Sequence, residues 1–277
     1  MFASEPLLRP EDIKAWDAWR RTCLVHAQDR RYLRRLDQTR DLVRRVLDEY
    51  ENTAVMWSAG KDSTVLAHLV GSLNTGQVTV SEKDDLDYPG EVEYVEGYAK
   101  EWGLSLEVIT PKVSPREWIA QNAHLIDPDE DFHSRAAGLS KECFYGLVEA
   151  ANASRDVIFL GLRKGESRGR MMNRITRGLV YRKAPTKWNP EGLTVCNPLG
   201  DWSGHDVYAY LFSNNIEPLH VYRCIWLNHR DEPWRVRKSW WIPGADTRWG
   251  GIAWLRHYYP SLYQQLREWW PEASRFS

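Results

Sequence analysis

A six-residue run, Ser58-Ala59-Gly60-Lys61-Asp62-Ser63, lies between a short apolar segment, Thr53 to Trp57, and a run with helical spacing, Thr64 to Val70. The apolar segment is too short for a typical helix and fits a central parallel strand covered on both faces. Strand, tight glycine turn and helix N-terminus, in that order, aim backbone N–H groups and the positive end of a helix dipole at an anion. Gly60 lets the backbone approach that anion closely, Asp62 or Ser63 can cap the helix, and Lys61 supplies a mobile positive charge. Handling of a nucleotide is the expectation. A glycine turn of this kind also occurs without any ligand, so the decision rests on two further segments.

The Walker A loop needs G-x-x-x-x-G-K-[ST], whereas Val55 stands five before Gly60 and Asp62 follows Lys61. An ordinary P-loop NTPase is therefore disfavoured. The segment resembles instead the S-G-G-K-D-S loop of the PP-loop ATP pyrophosphatases, with Ala59 in place of the first glycine. Residues 156–160 read as another buried strand, and it runs into Gly161-Leu162-Arg163-Lys164-Gly165-Glu166-Ser167-Arg168-Gly169-Arg170. This is similar to the G-x-R-x-x-E-S-x-x-R signature of the phosphoadenosine phosphosulfate (PAPS) reductase family, a branch of that superfamily. A third segment, Asn197 to Leu211 continuing through Asn215 to Tyr222, resembles the family's P-L-x-D-W-[ST]-x-x-D-V-W-x-Y-[IL] and N-x-I-P-x-N-x-L-Y patterns. The resemblance covers about residues 53 to 222 and is silent on both ends.

What the resemblance implies is an α/β fold: a doubly wound parallel sheet, Rossmann-like and of the adenine nucleotide alpha hydrolase type. It also implies ATP as the bound nucleotide, held by Ser58, Ala59, Gly60, Lys61, Asp62, Ser63, Gly161, Arg163, Glu166 and Ser167. Cleavage between the α and β phosphates would be assisted by Lys61, Asp62, Arg163 and Arg170, with Mg²⁺ bridging the leaving oxygens and Asp62 orienting the loop or binding the metal. Glu166 would fix the arginines or contact ribose, and the bland alternative for it is a salt bridge. Trp202 and Asp206 are expected to stabilise the fold. The family's D-T-G after the second strand is replaced by residues 81–87, where Asp84 or Asp85 could assist Mg²⁺ or simply be solvated turn acids.

At 277 residues the chain can bury one α/β core with appended elements. The expected division is a helical extension over 1–50, the nucleotide domain over 51–222 and a Trp/Arg-rich extension over 223–277 packed on the core. A formal net charge of −1 gives no global attraction to nucleic acid, so any such binding must be local. No apolar run of membrane-spanning length and no secretory leader pattern are visible, and a soluble, cytoplasmic protein without membrane association is expected. Cys23, Cys143, Cys196 and Cys224 are far apart and read as reduced interior thiols. The E-C-G-[IL]-H motif of the family's reductases is missing and Cys143 stands alone, so neither a reductase thiolate nor an iron-sulfur cluster is expected. Cys224 as a sulfur carrier is a minor alternative to a buried thiol.

Residues 10 to 50 carry apolar positions at helical spacing and predict one or two amphipathic helices, read as a cap on the sheet. Residues 77–81 read as a second strand, Glu91 to Trp102 as a helix ended by Gly103, and Leu104 to Thr110 as a third strand stopped by Pro111. Residues 121–140 read as an irregular connection with the possible role of a lid. From Arg163 to Lys187 there are nine lysines and arginines against the single acid Glu166, which points to a polyanionic neighbour or a flexible basic loop. Eight of the fifteen tryptophans follow Val221, divided evenly between packing and recognition as explanations.

The favoured expectation is an ATP pyrophosphatase that adenylates an acceptor for sulfur incorporation, closest to the enzymes of DNA phosphorothioation, with nucleic acid and a cysteine desulfurase sulfur donor as partners. Two alternatives stand beside it. One is small-molecule sulfur assimilation, as a divergent PAPS reductase or a sulfate-adenylylating subunit; the other is a nucleotide-binding module without turnover.

Overall fold

The computed structural model describes residues 5–122, 155–185, 190–224 and 251–276. Six strands form one sheet: β1 (Thr53–Met56), β2 (Val78–Glu82), β3 (Ser105–Ile109), β4 (Val157–Phe159), β5 (Val180–Lys183) and β6 (Leu193–Cys196). Their spatial order is β3-β2-β1-β4-β6-β5, with every pairing parallel except the antiparallel β5–β6 edge. The chain winds outward from β1 through β2 to β3, then returns to start the other half at β4. β1 and β4 are thus the neighbours at which strand order reverses, the place where an open α/β sheet leaves a crevice beyond its strand ends.

The helices are α1 (Pro10–His26), α2 (Arg30–Glu49), α3 (Lys61–Gly71), α4 (Glu91–Glu101), α5 (Pro115–Asn122), α6 (Arg168–Arg177), α7 (Gly204–Ser213), α8 (Gly251–Tyr258) and α9 (Pro260–Trp269). The amphipathic region before β1 resolves into two helices because Asp29 starts α2 anew, its carboxylate accepting from the amides of Arg31 at 2.6 Å and Tyr32 at 3.3 Å. Pro10 opens α1, and Gly90, at φ 80°, makes the left-handed turn that leads into α4.

β1 and β4 are short and almost wholly buried, as continuous apolar runs require. Val55, Trp57, Val157, Phe159 and Cys196 face one side of the sheet, and Ala54, Met56, Ile158 and Val195 the other. The first side joins one large apolar cluster that runs from Trp16 and Trp19 of α1 through α3 and α7 to Tyr258, Tyr263 and Trp270. Both chain ends therefore contribute to the main core. Trp254 and Trp270 are buried, so packing explains these two members of the tryptophan-rich tail; Trp226, Trp234, Trp240, Trp241 and Trp249 lie outside the described residues.

The third motif is structural in its details. Trp202 donates from its ring nitrogen to Thr39 of α2 at 2.9 Å, and Asp206, fully buried, closes the capping box of α7 with Ser203 while accepting from Arg35 and pairing with His26 at 2.8 Å. Burial alone would raise the Asp206 carboxyl, but its partners His26, Ser203 and Arg35 hold it below the usual carboxylate range. Most of the proposed lid, residues 123–140, lies outside the described residues. No helix among the described residues is long and apolar enough to cross a membrane.

Candidate functional site

The turn between β1 and α3 lies at the β1–β4 switch point. Ala59 has φ 51°, in the left-handed region where glycine is at ease and alanine is strained, and it is buried. Gly60 is the residue that precedes the first helical turn, and no side chain caps α3. This corrects the expectation that Asp62 or Ser63 serves as the cap. Ser63 instead folds back: its hydroxyl donates to Gly60 O at 3.0 Å and accepts from the Ser58 amide at 3.2 Å, with the Ser58 hydroxyl also 3.2 Å away.

The loop's N–H groups divide into two sets. The Ser58 amide goes to Ser63 Oγ and the Lys61 amide to the Tyr222 hydroxyl at 3.0 Å, whereas the amides of Ala59, Gly60, Asp62 and Ser63 donate to no acceptor among the described residues. Four unclaimed donors in one tight turn at a helix N-terminus are the arrangement that can receive an anion.

The charges around it are fixed. Lys61 is 3% exposed, and its ammonium donates to Asp62 at 2.7 Å; the correction here is that Lys61 is pinned and does not swing freely. The other Asp62 oxygen accepts from Arg163 Nε at 2.5 Å, and the Arg163 side chain is 2% exposed. Burial by itself would raise the Asp62 carboxyl, yet the two cations hold it below the usual range, so it is ionised at neutral pH. Gly161 at the end of β4 makes this junction possible. A Cβ there would lie 3.0 Å from the Asp62 carbonyl carbon and from the Ser63 nitrogen, both backbone atoms.

Sequence-distant residues of the second motif thus meet the loop in part. Arg163 touches it directly, and Glu166 is one step out, accepting from the Arg163 amide at 2.8 Å and pairing with Arg170. Ser167 is the N-cap of α6, its hydroxyl accepting from the Arg170 amide at 3.2 Å. Arg170 is exposed on α6 and reaches the loop through Glu166 alone among the contacts described.

Residues 163–183 are ordered into a 3₁₀ turn, α6 and β5, which corrects the alternative of a flexible basic loop; Lys187 lies outside the described residues. Part of the charge is answered from elsewhere, since Asp201 accepts from Lys164 at 2.8 Å and from Arg174 at 2.6 Å. α6 nevertheless buries no residue and contains four arginines and no acid.

Asp84 and Asp85 are engaged in turns: Asp84 accepts from the Leu86 amide, and Asp85 from the Ser114 hydroxyl and the Arg116 amide at the start of α5. Among the described residues no group of three or more His, Cys, Asp or Glu side chains could cage a metal ion. Asp62, with a cation on each oxygen, fits Mg²⁺ brought on a nucleotide's phosphates better than a resident ion. Cys23 and Cys196 are buried with their thiols pushed up to about 12, and burial raises Cys224 as well. None of the three is a thiolate at neutral pH, which weighs against Cys224 as a sulfur carrier. Cys143 lies outside the described residues.

Tyr222 is the site residue that sequence reasoning missed. It closes the third motif, and only the fold shows that this motif's last side chain reaches the first.

The chain is 26% identical over 200 residues to sulfate adenylyltransferase subunit 2 of Shewanella sp. (strain ANA-3), a match covering 65% of this chain and 63% of that protein. The subunit 2 of Aeromonas salmonicida (strain A449) is likewise 26% identical, with 65% and 62% covered. The chain thus spans less than two thirds of the curated relatives it matches. Among solved structures, a Candida auris PAPS reductase in a phosphate complex aligns at 14% identity and a TM-score of 0.48, covering 66% of this chain and 82% of that one. Residues 52–224, more than half of the chain, match the phosphoadenosine phosphosulfate reductase domain, and the chain belongs to that family within the PP-loop ATP pyrophosphatase superfamily.

Proposed function

We propose that this protein cleaves ATP between its α and β phosphates and transfers the adenylyl group to an acceptor that is then prepared for sulfur incorporation. The observation that carries the reading is the set of four unclaimed amides at Ala59, Gly60, Asp62 and Ser63, beside the Asp62 carboxylate held between buried Lys61 and Arg163. Donors fixed before the reaction stabilise the charge that develops on the departing pyrophosphate without reorganising. Lys61 and Arg163 bring two cations against one carboxylate, leaving a net positive charge near the turn. Gly161, just beyond β4, lets the segment that carries Arg163 lie against the Asp62–Ser63 backbone. Mg²⁺ carried in on the nucleotide would neutralise charge on the leaving group.

For the acceptor we favour a phosphate of a nucleic-acid backbone, as in DNA phosphorothioation, with a cysteine desulfurase as sulfur donor. Two features support this: the acid-free exposed helix α6, and the three buried, protonated thiols, which do not suit a reductase nucleophile. Sulfate as acceptor is the second reading, favoured by the relatives named sulfate adenylyltransferase subunit 2. ATP carrying a label on the α-phosphate tests both. AMP plus pyrophosphate formed with DNA and a persulfide donor supports the first, adenylyl sulfate formed from sulfate supports the second, and ADP in every reaction refutes the cleavage itself.

A further inference from the structure

The geometry points to Tyr222 as a positioning residue for the phosphate-holding turn, an inference that rests on the ATP reading above. Tyr222 comes from the 3₁₀ turn His220–Arg223, yet its hydroxyl accepts from the Lys61 amide at 3.0 Å. Its ring lies 5.8 Å from the Lys61 ammonium, within reach of a cation–π attraction. The same hydroxyl is 3.5 Å from where a Cβ on Gly60 would stand. One side chain therefore touches the turn's backbone, its cation and the space beside its glycine.

Tyr222 is itself held firmly. It is 4% exposed and meets Tyr208 of α7 edge to face, with ring centroids 6.4 Å apart. Glu217, just upstream, accepts from Arg223 at 2.9 Å and from Arg20 of α1 at 2.8 Å, while its amide donates to the Tyr98 hydroxyl of α4 at 3.0 Å. The turn bearing Tyr222 is thus braced by α1, α4 and α7. By claiming the first amide of α3 from the core side, Tyr222 fixes the direction of that helical turn and leaves the other four amides for the ligand. Its effect falls on the pyrophosphate portion of the nucleotide.

The test uses the full chain and inorganic pyrophosphate as the probe, titrated by calorimetry, with the melting temperature of each unliganded variant measured alongside. Tyr258→Phe serves as the comparison, because it removes a buried hydroxyl, donated to Asp12 of α1 at 2.8 Å, that lies outside this clamp. Loss of one hydrogen bond predicts that Tyr222→Phe weakens pyrophosphate binding about 5-fold, with KM for ATP rising and kcat nearly unchanged. Tyr222→Leu, which also removes the ring, weakens it further, and Tyr258→Phe leaves pyrophosphate affinity at the wild-type value. Equal pyrophosphate affinity in wild type and Tyr222→Phe overturns the role of Tyr222 while sparing the ATP reading. An equal loss in Tyr258→Phe overturns it too, by showing a general loosening. Failure of the wild-type protein to bind pyrophosphate removes both.

Discussion

Lys61 and Arg163 are buried and share the partly buried carboxylate of Asp62, whereas Arg168, Arg170 and Arg177 lie exposed on a helix that buries nothing. In the first region charge acts through fixed position: solvent screens little, and each group is committed to a partner. On α6 charge acts through its field, weakened by salt and tolerant of exchange. Under the proposed function, the same residue types would serve cleavage geometry in one place and attraction of a large anion in the other.

The most severe way to break this contrast is Asp62→Asn, which leaves two buried cations without their counter-charge. We expect a loss of roughly 3–5 kcal/mol in stability, read by urea denaturation, together with loss of pyrophosphate release. Gly161→Ala should follow, at about 1–3 kcal/mol, because the new methyl meets backbone atoms that no rotamer change can move away. Its rate of pyrophosphate release should fall by more than its stability alone explains. Ala59→Gly runs the other way. Relief of the left-handed strain should add about 1 kcal/mol, and a lower denaturation midpoint would show that the turn needs the alanine methyl.

On the exposed side, Arg168→Glu and Arg177→Glu should change stability by less than about 0.5 kcal/mol. Binding of a nucleic-acid fragment should weaken, and its salt dependence should become shallower by about one unit of slope for each phosphate that is no longer neutralised. Unchanged binding with both arginines reversed would remove α6 from the acceptor surface. The smallest effect concerns pH. Burial holds His68, paired with the Tyr210 hydroxyl at 2.9 Å, below its ordinary pKa, so the folded state binds fewer protons there than the unfolded chain. Its contribution is present above the unfolded value near 6.5 and declines as pH falls below it. The denaturation midpoint should drop between pH 7 and pH 5, and less steeply in His68→Gln.

Much of the fold was legible because its signals are local. The apolar runs at 53–57 and 156–160, the stop at Gly103 and the helical spacing before residue 50 each depend on neighbours within a few positions. β5 was not legible, since Val180–Lys183 is only two apolar residues followed by two basic ones, without the alternation of a half-buried strand, and it becomes a strand only by pairing with β6. The answered charges of Lys164 and Arg174 were hidden for a similar reason: Asp201 lies outside the basic segment and reaches it through the fold.

The order of strand, glycine turn and helix, together with the three spaced motifs, determined by sequence alone that an anion-binding loop should stand at residues 58–63 and which family it belongs to. Tertiary structure decided which charges face each other. It placed Arg163 on Asp62, left Arg170 in solvent, sealed three thiols in the core and brought Tyr222 under Lys61. The physical reason is range: turn and helix preferences are set by adjacent residues, while ion pairing, burial and pKa depend on groups that meet only when the sheet has closed.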